Sequence, residues 1–347
     1  MSGIREHFSN QARACRALGS PFTADLLEAA AERLDEHSAV GRTVLNWPGD
    51  PRADALGLRF AGSLHRLVLM GVAPELARTY PTGQRTIGTG ALWSQVAEAL
   101  AAHETALLGS LQSPPQTNEV ARCAVLVGGF AAAAERTGRP LALLEIGASA
   151  GLNLHWDAYR YVLGGTRWGP EGASVQLEPE WRGASPTIGP VEVRHRLGCD
   201  QAPIDPSNHG DRLRLRSYIW PDQTARLARL DAALDHAARQ QLRVEQADAA
   251  DWVLACLARR PDGHASVLYH SIVWQYLLAA TQRRIEDGLA EAGAAASADA
   301  PLAWLRMEPS SVVGKTELLL TTWPGGITER LAYADYHGRW VEWLGGE

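Results

Sequence analysis

Apolar residues recur at three- and four-residue spacing through the first third of the chain, the pattern of helices with one buried face. Ser20-Pro21 is a helix start, with Ser as cap and Pro in the first turn; Leu26, Leu27, Ala30 and Leu34 continue its stripe. Leu56, Phe60, Leu64, Leu67 and Val68 make a second stripe that stops at Gly71. A third helix is predicted over 91–108 and a fourth from Thr117 to Gly138, with no strand pattern before residue 140. Residues 141–146 then open a series of short apolar runs, repeated at 242–245, 266–270, 302–307 and 317–321. Helical patterns over 222–239, 249–259 and 272–289 fall between most of them. Buried strands alternating with helices predict βαβ units and a mostly parallel sheet. Two final strand-like pieces, 330–334 and 339–343, flank His337-Gly338 and are expected to form an antiparallel edge. Residues 160–197 are rich in Gly, Pro and Trp and read as an insertion. The expected architecture is α/β: a doubly wound, mostly parallel sheet in residues 139–347, preceded by a helical cap domain in residues 1–138.

Composition adds mainly exclusions. The 347 residues are 46% hydrophobic and 21% charged, an ordinary globular mix. No apolar run approaches the roughly 18 residues of a membrane span, and the opening MSGIREHFSN lacks the apolar core of a secretory signal. A cytoplasmic location and no membrane partner are expected. Cys15, Cys123, Cys199 and Cys256 are scattered with no C-x-x-C, so neither a disulfide framework nor a metal site is expected. The formal charge is −6, and the one dense basic stretch is Arg212, Arg214 and Arg216. No nucleic-acid partner is expected from that balance.

The strongest chemical signal is Glu145-Ile146-Gly147-Ala148-Ser149-Ala150-Gly151-Leu152-Asn153, between a buried strand and a helical start. Glycines there allow a tight turn and close approach to a ligand. The dinucleotide fingerprint G-x-G-x-x-G is not met, because Ser149 holds the second glycine position. The letters do satisfy G-x-S-x-G, the nucleophile elbow of serine hydrolases, with a C-terminal histidine such as His337 as its base. They also resemble the first motif of class I methyltransferases, an acid followed by G-x-G-x-G, with Ser149 as the one departure. An elbow normally follows several strands and an oxyanion loop, whereas this turn follows the first strand, as the methyltransferase motif does. That resemblance implies S-adenosylmethionine as cofactor, with Glu145 holding its methionine end and Gly147, Ala148, Ser149, Gly151 and Asn153 lining it.

A ribose needs a carboxylate at the end of the next strand. Leu197-Gly198-Cys199-Asp200-Gln201-Ala202-Pro203 resembles the second-strand ending of methyltransferases, although Asp200 lies 53 residues beyond Gly147. Glu178 is the rival. Asp248 follows the next apolar run and suits either an adenine contact or a helix cap. The run 267–271 ends at His270, near where a transferred methyl would lie; the residue suits proton removal from an oxygen or nitrogen nucleophile. Tyr276 is placed to share that pocket. Asn118 and Glu119, in the polar run Gln116-Thr117-Asn118-Glu119, either reach the crevice or cap the helix they enter.

Taken together, these segments resemble a bacterial family known as domain of unknown function 2332. The likeness extends from Gly19-Ser20-Pro21 through Leu64-His65, the Glu145–Asn153 run, Trp220-Pro221-Asp222-Gln223 and His270-Ser271 to His337-Gly338-Arg339-Trp340. It implies a methyltransferase-type fold and no established reaction. The leading expectation is an S-adenosylmethionine-dependent methyltransferase-like protein acting on a small molecule. A serine hydrolase built on Ser149 and a non-catalytic nucleoside-binding module are the alternatives.

Overall fold

The computed structural model describes residues 2–81 and 89–345. In chain order the helices are α1 (Ser2–Ala17), α2 (Pro21–Arg33), α3 (Ala39–Leu45), α4 (Leu56–Leu69), α5 (Pro74–Ala77), α6 (Thr89–Ala102), α7 (Glu104–Leu111), α8 (Cys123–Thr137), α9 (His209–Ser217), α10 (Thr224–Gln240), α11 (Ala249–Leu257) and α12 (Ala279–Ala294). The strands are β1 (Leu141–Ile146), β2 (Arg160–Leu163), β3 (Thr166–Trp168), β4 (Gln176–Leu177), β5 (Glu180–Arg182), β6 (Val193–Asp200), β7 (Glu245–Gln246), β8 (Ala265–Ser271), β9 (Leu302–Pro309), β10 (Thr316–Trp323), β11 (Ile327–Ala334) and β12 (Trp340–Trp343). Among the described residues no helix is long and apolar enough to cross a membrane. The chain divides into two compact units, residues 1–117 with 208–228 and residues 118–207 with 229–347.

Among its described residues the regular elements of the first unit are all helices. Its apolar stripes close on one core, in which Phe8, Leu26, Leu27, Leu56, Phe60 and Leu64 are buried. Ser20 caps α2 as its sequence predicts: its Oγ accepts from the Thr23 amide at 3.3 Å and donates to Asp222 Oδ1 at 2.6 Å. The helix expected over 91–108 is broken at His103 into α6 and α7, at a position with neither Gly nor Pro to announce it.

The second unit holds a nine-stranded sheet in the order β5-β12-β11-β10-β9-β8-β1-β6-β7 and a small sheet in the order β3-β2-β4. Strands β7, β6, β1, β8 and β9 run parallel. Counted in chain order they read 3-2-1-4-5, the doubly wound arrangement whose switch point lies between β1 and β8. Strands β9 to β12 pair antiparallel. The expected antiparallel pair at 330–343 is present, but it does not end the sheet. Strand β5, from the Gly- and Trp-rich stretch, pairs in parallel with β12.

Every residue of β1 and β8 is buried, which is why both read as unbroken apolar runs rather than alternating ones. Helices α11 and α12 cover one face, where Val253, Ile285 and Leu289 close on Leu144, Ile146 and Leu268. Helix α8 covers the other, with Phe130 edge-on to Tyr269 at 4.9 Å between ring centroids. Its Gly128-Gly129 pair permits that approach. A Cβ at Gly128 would stand 2.5 Å from the Trp343 ring, and one at Gly129 2.4 Å from Leu305 Cδ1. Gly128→Ala is therefore expected to destabilise the protein by about 1–3 kcal/mol through overpacking, although alanine is the better helix former by about 1 kcal/mol. Gly109→Ala in α7, where nothing lies within 4 Å of the new Cβ, should instead be neutral or stabilising. Urea denaturation of the two variants checks the contrast.

Candidate functional site

The chain leaves β1 at Ile146 and turns through three left-handed residues, Gly147 (φ 66°), Ser149 (φ 54°) and Gly151 (φ 69°), into a 3-10 helix at Leu152–Ala158. Five consecutive amides in this turn have acceptors inside the protein. Ala148 N donates to Cys199 O at 3.0 Å and Gly151 N to Ala148 O at 2.7 Å. Ser149 N donates to Asp200 Oδ2 at 2.9 Å. Asn118 Oδ1 takes the amides of both Ala150 (3.2 Å) and Leu152 (3.1 Å). Asp200 is fixed in turn by the Ala202 amide on Oδ1 at 2.9 Å. A phosphate cradle works through free N–H groups aimed at the anion. This turn has already given its own to Asn118, Asp200 and two carbonyls.

The glycines also serve close packing. A side chain at Gly147 would run into Val273 Cγ2 at 2.4 Å, and one at Gly151 would meet Leu242 at 3.0 Å and Val244 at 3.1 Å. Ser149 is a non-glycine residue in left-handed backbone, and its Oγ is buried with no hydrogen-bond partner. A serine nucleophile needs a base within hydrogen-bond reach and an oxyanion donor on the next amide. Ser149 Oγ has no such base, and the Ala150 amide is held by Asn118.

Glu145 lies just below the turn, 2% exposed. Its Oε2 accepts from the Tyr269 hydroxyl at 3.0 Å, and Asn153, which accepts from Cys123 Sγ at 3.2 Å, also bonds the carboxyl. Burial outweighs these bonds and pushes the Glu145 pKa up to about 8. Tyr269 and Cys123 are pushed upward as well, in both cases mainly by burial.

A family model described as "Uncharacterized protein conserved in bacteria (DUF2332)" matches residues 5–343. The chain belongs to this family. No curated protein and no solved structure matches it.

In this family member Asn118, Gly147, Ala148, Ser149, Gly151 and Asp200 meet around one turn, with Glu145 and Asn153 beneath it. Asp200, not Glu178, ends the strand beside β1: β6 pairs with β1 through Cys199, whereas Glu178 is exposed beyond β4 of the small sheet. Glu119 caps the next turn through the Ala121 amide at 3.1 Å, with Arg229 3.9 Å away. Asp248 is exposed and caps α11 through the amides of Ala250 and Asp251. Tyr276 is 75% exposed in a short 3-10 turn. Strand alternation separates His270 from Glu145: Tyr269 joins Glu145 on the α8 face, and His270 points to the opposite one. There its ring is stacked on Trp274 at 5.1 Å, Nδ1 donates to Glu308 Oε1 at 2.6 Å, and Nε2 accepts from Trp304 Nε1 at 3.2 Å. With both nitrogens bonded and no surface exposed, the imidazole is a held group in this structure.

Glu308 is the residue that the sequence reading missed. It is the penultimate residue of β9, at the same carboxyl edge of the sheet where Asp200 ends β6, so the same search for acids at strand ends would have found it.

The raised Glu145 pKa carries a pH dependence with a definite sign. Folding takes up a proton between the ordinary value of 4.5 and about 8. The associated stability is complete below pH 4.5 and is lost as pH rises towards about 8, at about 1.4 kcal/mol per pH unit. Glu145→Gln keeps an acceptor for Tyr269 but cannot ionise. Denaturant unfolding across this range should show wild type losing stability relative to the variant as pH rises. Parallel curves would show that the carboxyl titrates alike in both states.

Proposed function

We propose that the protein is an S-adenosylmethionine-dependent methyltransferase-like protein acting on a small molecule, with the cofactor at the carboxyl edge of β1 and β6. The observation that carries this reading is the pair of acids, Glu145 and Asp200, on neighbouring parallel strands beside a turn whose amides are taken. Such a turn suits a nucleoside ligand without phosphates better than a dinucleotide. Position supports it too, since ligands of doubly wound sheets bind outside the strand carboxyl ends near the switch point.

In this reading each Asp200 oxygen keeps a second lone pair beside its amide bond, and the pair accepts from the two ribose hydroxyls. Ser149 Oγ, buried and unpartnered, supplies a further hydrogen bond to the ligand. Glu145 lies on the methionine side, where a positive ligand group would favour its ionised form. The cofactor supplies an activated methyl group, and the chain's part is to hold the acceptor in line with it. His270 acts as a positioning residue through Glu308 and Trp274, because neither ring nitrogen is open to a substrate proton.

Calorimetric titration tests the reading. S-adenosylmethionine and its demethylated product should both bind wild type, and NAD should not. Asp200→Asn should weaken binding about tenfold or more, the loss of one charged hydrogen-bond acceptor. Absence of heat with either adenosyl ligand at millimolar concentration, with the protein folded, would remove the proposal.

A further inference from the structure

Glu308 is bonded in a lopsided way. Three donors converge on its Oε1: His270 Nδ1 at 2.6 Å, the Val273 amide at 3.0 Å and the Trp274 amide at 3.2 Å. Its Oε2 is buried and has no partner, although the side chain keeps 13% exposure and so borders the surface. The segment that supplies the two amides is strained. Ile272 has φ 56°, a left-handed conformation that a β-branched side chain rarely adopts. Strain of this kind, and buried acceptors without donors, persist mainly where a site uses them. Trp304 Nε1 donates to His270 Nε2, so the ring proton is on Nδ1 and the imidazole is a donor to the carboxylate.

The position is equally specific. Val273, held by Glu308, packs directly on Gly147, so the strained turn adjoins the β1 turn at the switch point of the sheet. Immediately beyond it Tyr276 and Leu278 are 75% and 77% exposed, two and four residues along the chain from the Trp274 amide that Glu308 holds.

We propose that Glu308 Oε2 is a binding point for the amino group of a small molecule, with Trp304, His270 and the 273–274 amides holding the carboxylate ready for it. A carboxylate oxygen without a partner is best matched by a charged N–H donor, whose hydrogen bond is about twice as strong as a neutral one. The exposed Tyr276 and Leu278 favour an alkyl or arylalkyl amine. The inference rests on the methyltransferase reading only in making that amine the methyl acceptor; the binding itself requires no cofactor.

Glu308→Gln separates this role from a structural one. The amide oxygen still accepts from His270 and the two backbone amides, while NH2 replaces the free acceptor and the charge is lost. Primary ammonium ions from methylammonium to 2-phenylethylammonium should be titrated calorimetrically into wild type and variant, with 2-phenylethanol as the uncharged match. Wild type should bind at least one of the amines, the alcohol should bind at least about tenfold more weakly, and the variant should lose about tenfold or more in amine affinity. Failure of every amine to bind wild type, or equal affinity for the variant, would overturn the inference. Titration with S-adenosylmethionine in the same samples reports separately on the cofactor. Amine binding without adenosyl binding would leave the Glu308 site standing and remove the methyltransferase reading.

Discussion

The acceptance of two backbone amides by one side-chain oxygen, Asn118 Oδ1 on Ala150 and Leu152, is the constraint on which the candidate site depends. The turn after β1 contains three left-handed residues and enters a 3-10 helix with its first amides unsatisfied by the helix itself. Leaving one such amide buried and unbonded costs about 1–3 kcal/mol. Asn118, from the segment just before α8, removes two of these costs at once, and Asp200 removes a third from β6. The turn is therefore stitched to both flanks, and its shape does not wait for a ligand. A preformed edge of this kind lowers the ordering cost of binding. It also withholds the amide donors that an anionic ligand would seek.

Much of this was legible in the sequence because it is local. The unbroken apolar runs of β1 and β8, the Ser20 cap and the helix end at Gly138 follow from short-range patterning. What was hidden is non-local. The helical pattern expected over 272–289 yields to a bend at Ile272, a 3-10 turn and only then α12, because the Glu308 carboxylate on β9 captures the amides of Val273 and Trp274. No periodicity can report a bond between residues more than thirty positions apart. Strand β5 joining β12 was hidden for the same reason, since three residues amid Gly and Pro carry no strand signal of their own.

The candidate site shows the same division. The turn was readable from its glycines between an apolar run and a helical start, whereas Glu145 and Asp200 were singled out through the resemblance to methyltransferase motifs. The separation of Glu145 from His270 follows from strand parity once the register Glu145↔Tyr269 is known. The two acids thus serve different faces: Glu145 in a buried cluster with Tyr269 and Asn153 under α8, and Glu308 in a relay with His270 and Trp304 on the other side. The strained turn after β8 meets the β1 turn where Val273 packs on Gly147.

The most direct test of the account is a crystal structure grown with S-adenosylhomocysteine. The ribose hydroxyls should lie within hydrogen-bond distance of Asp200, with the ligand along Gly147–Gly151 and the amides of Ala148 to Leu152 still on their present acceptors. A ligand bound elsewhere, or a turn whose amides have left Asn118 and Asp200 to bond the ligand, would contradict it.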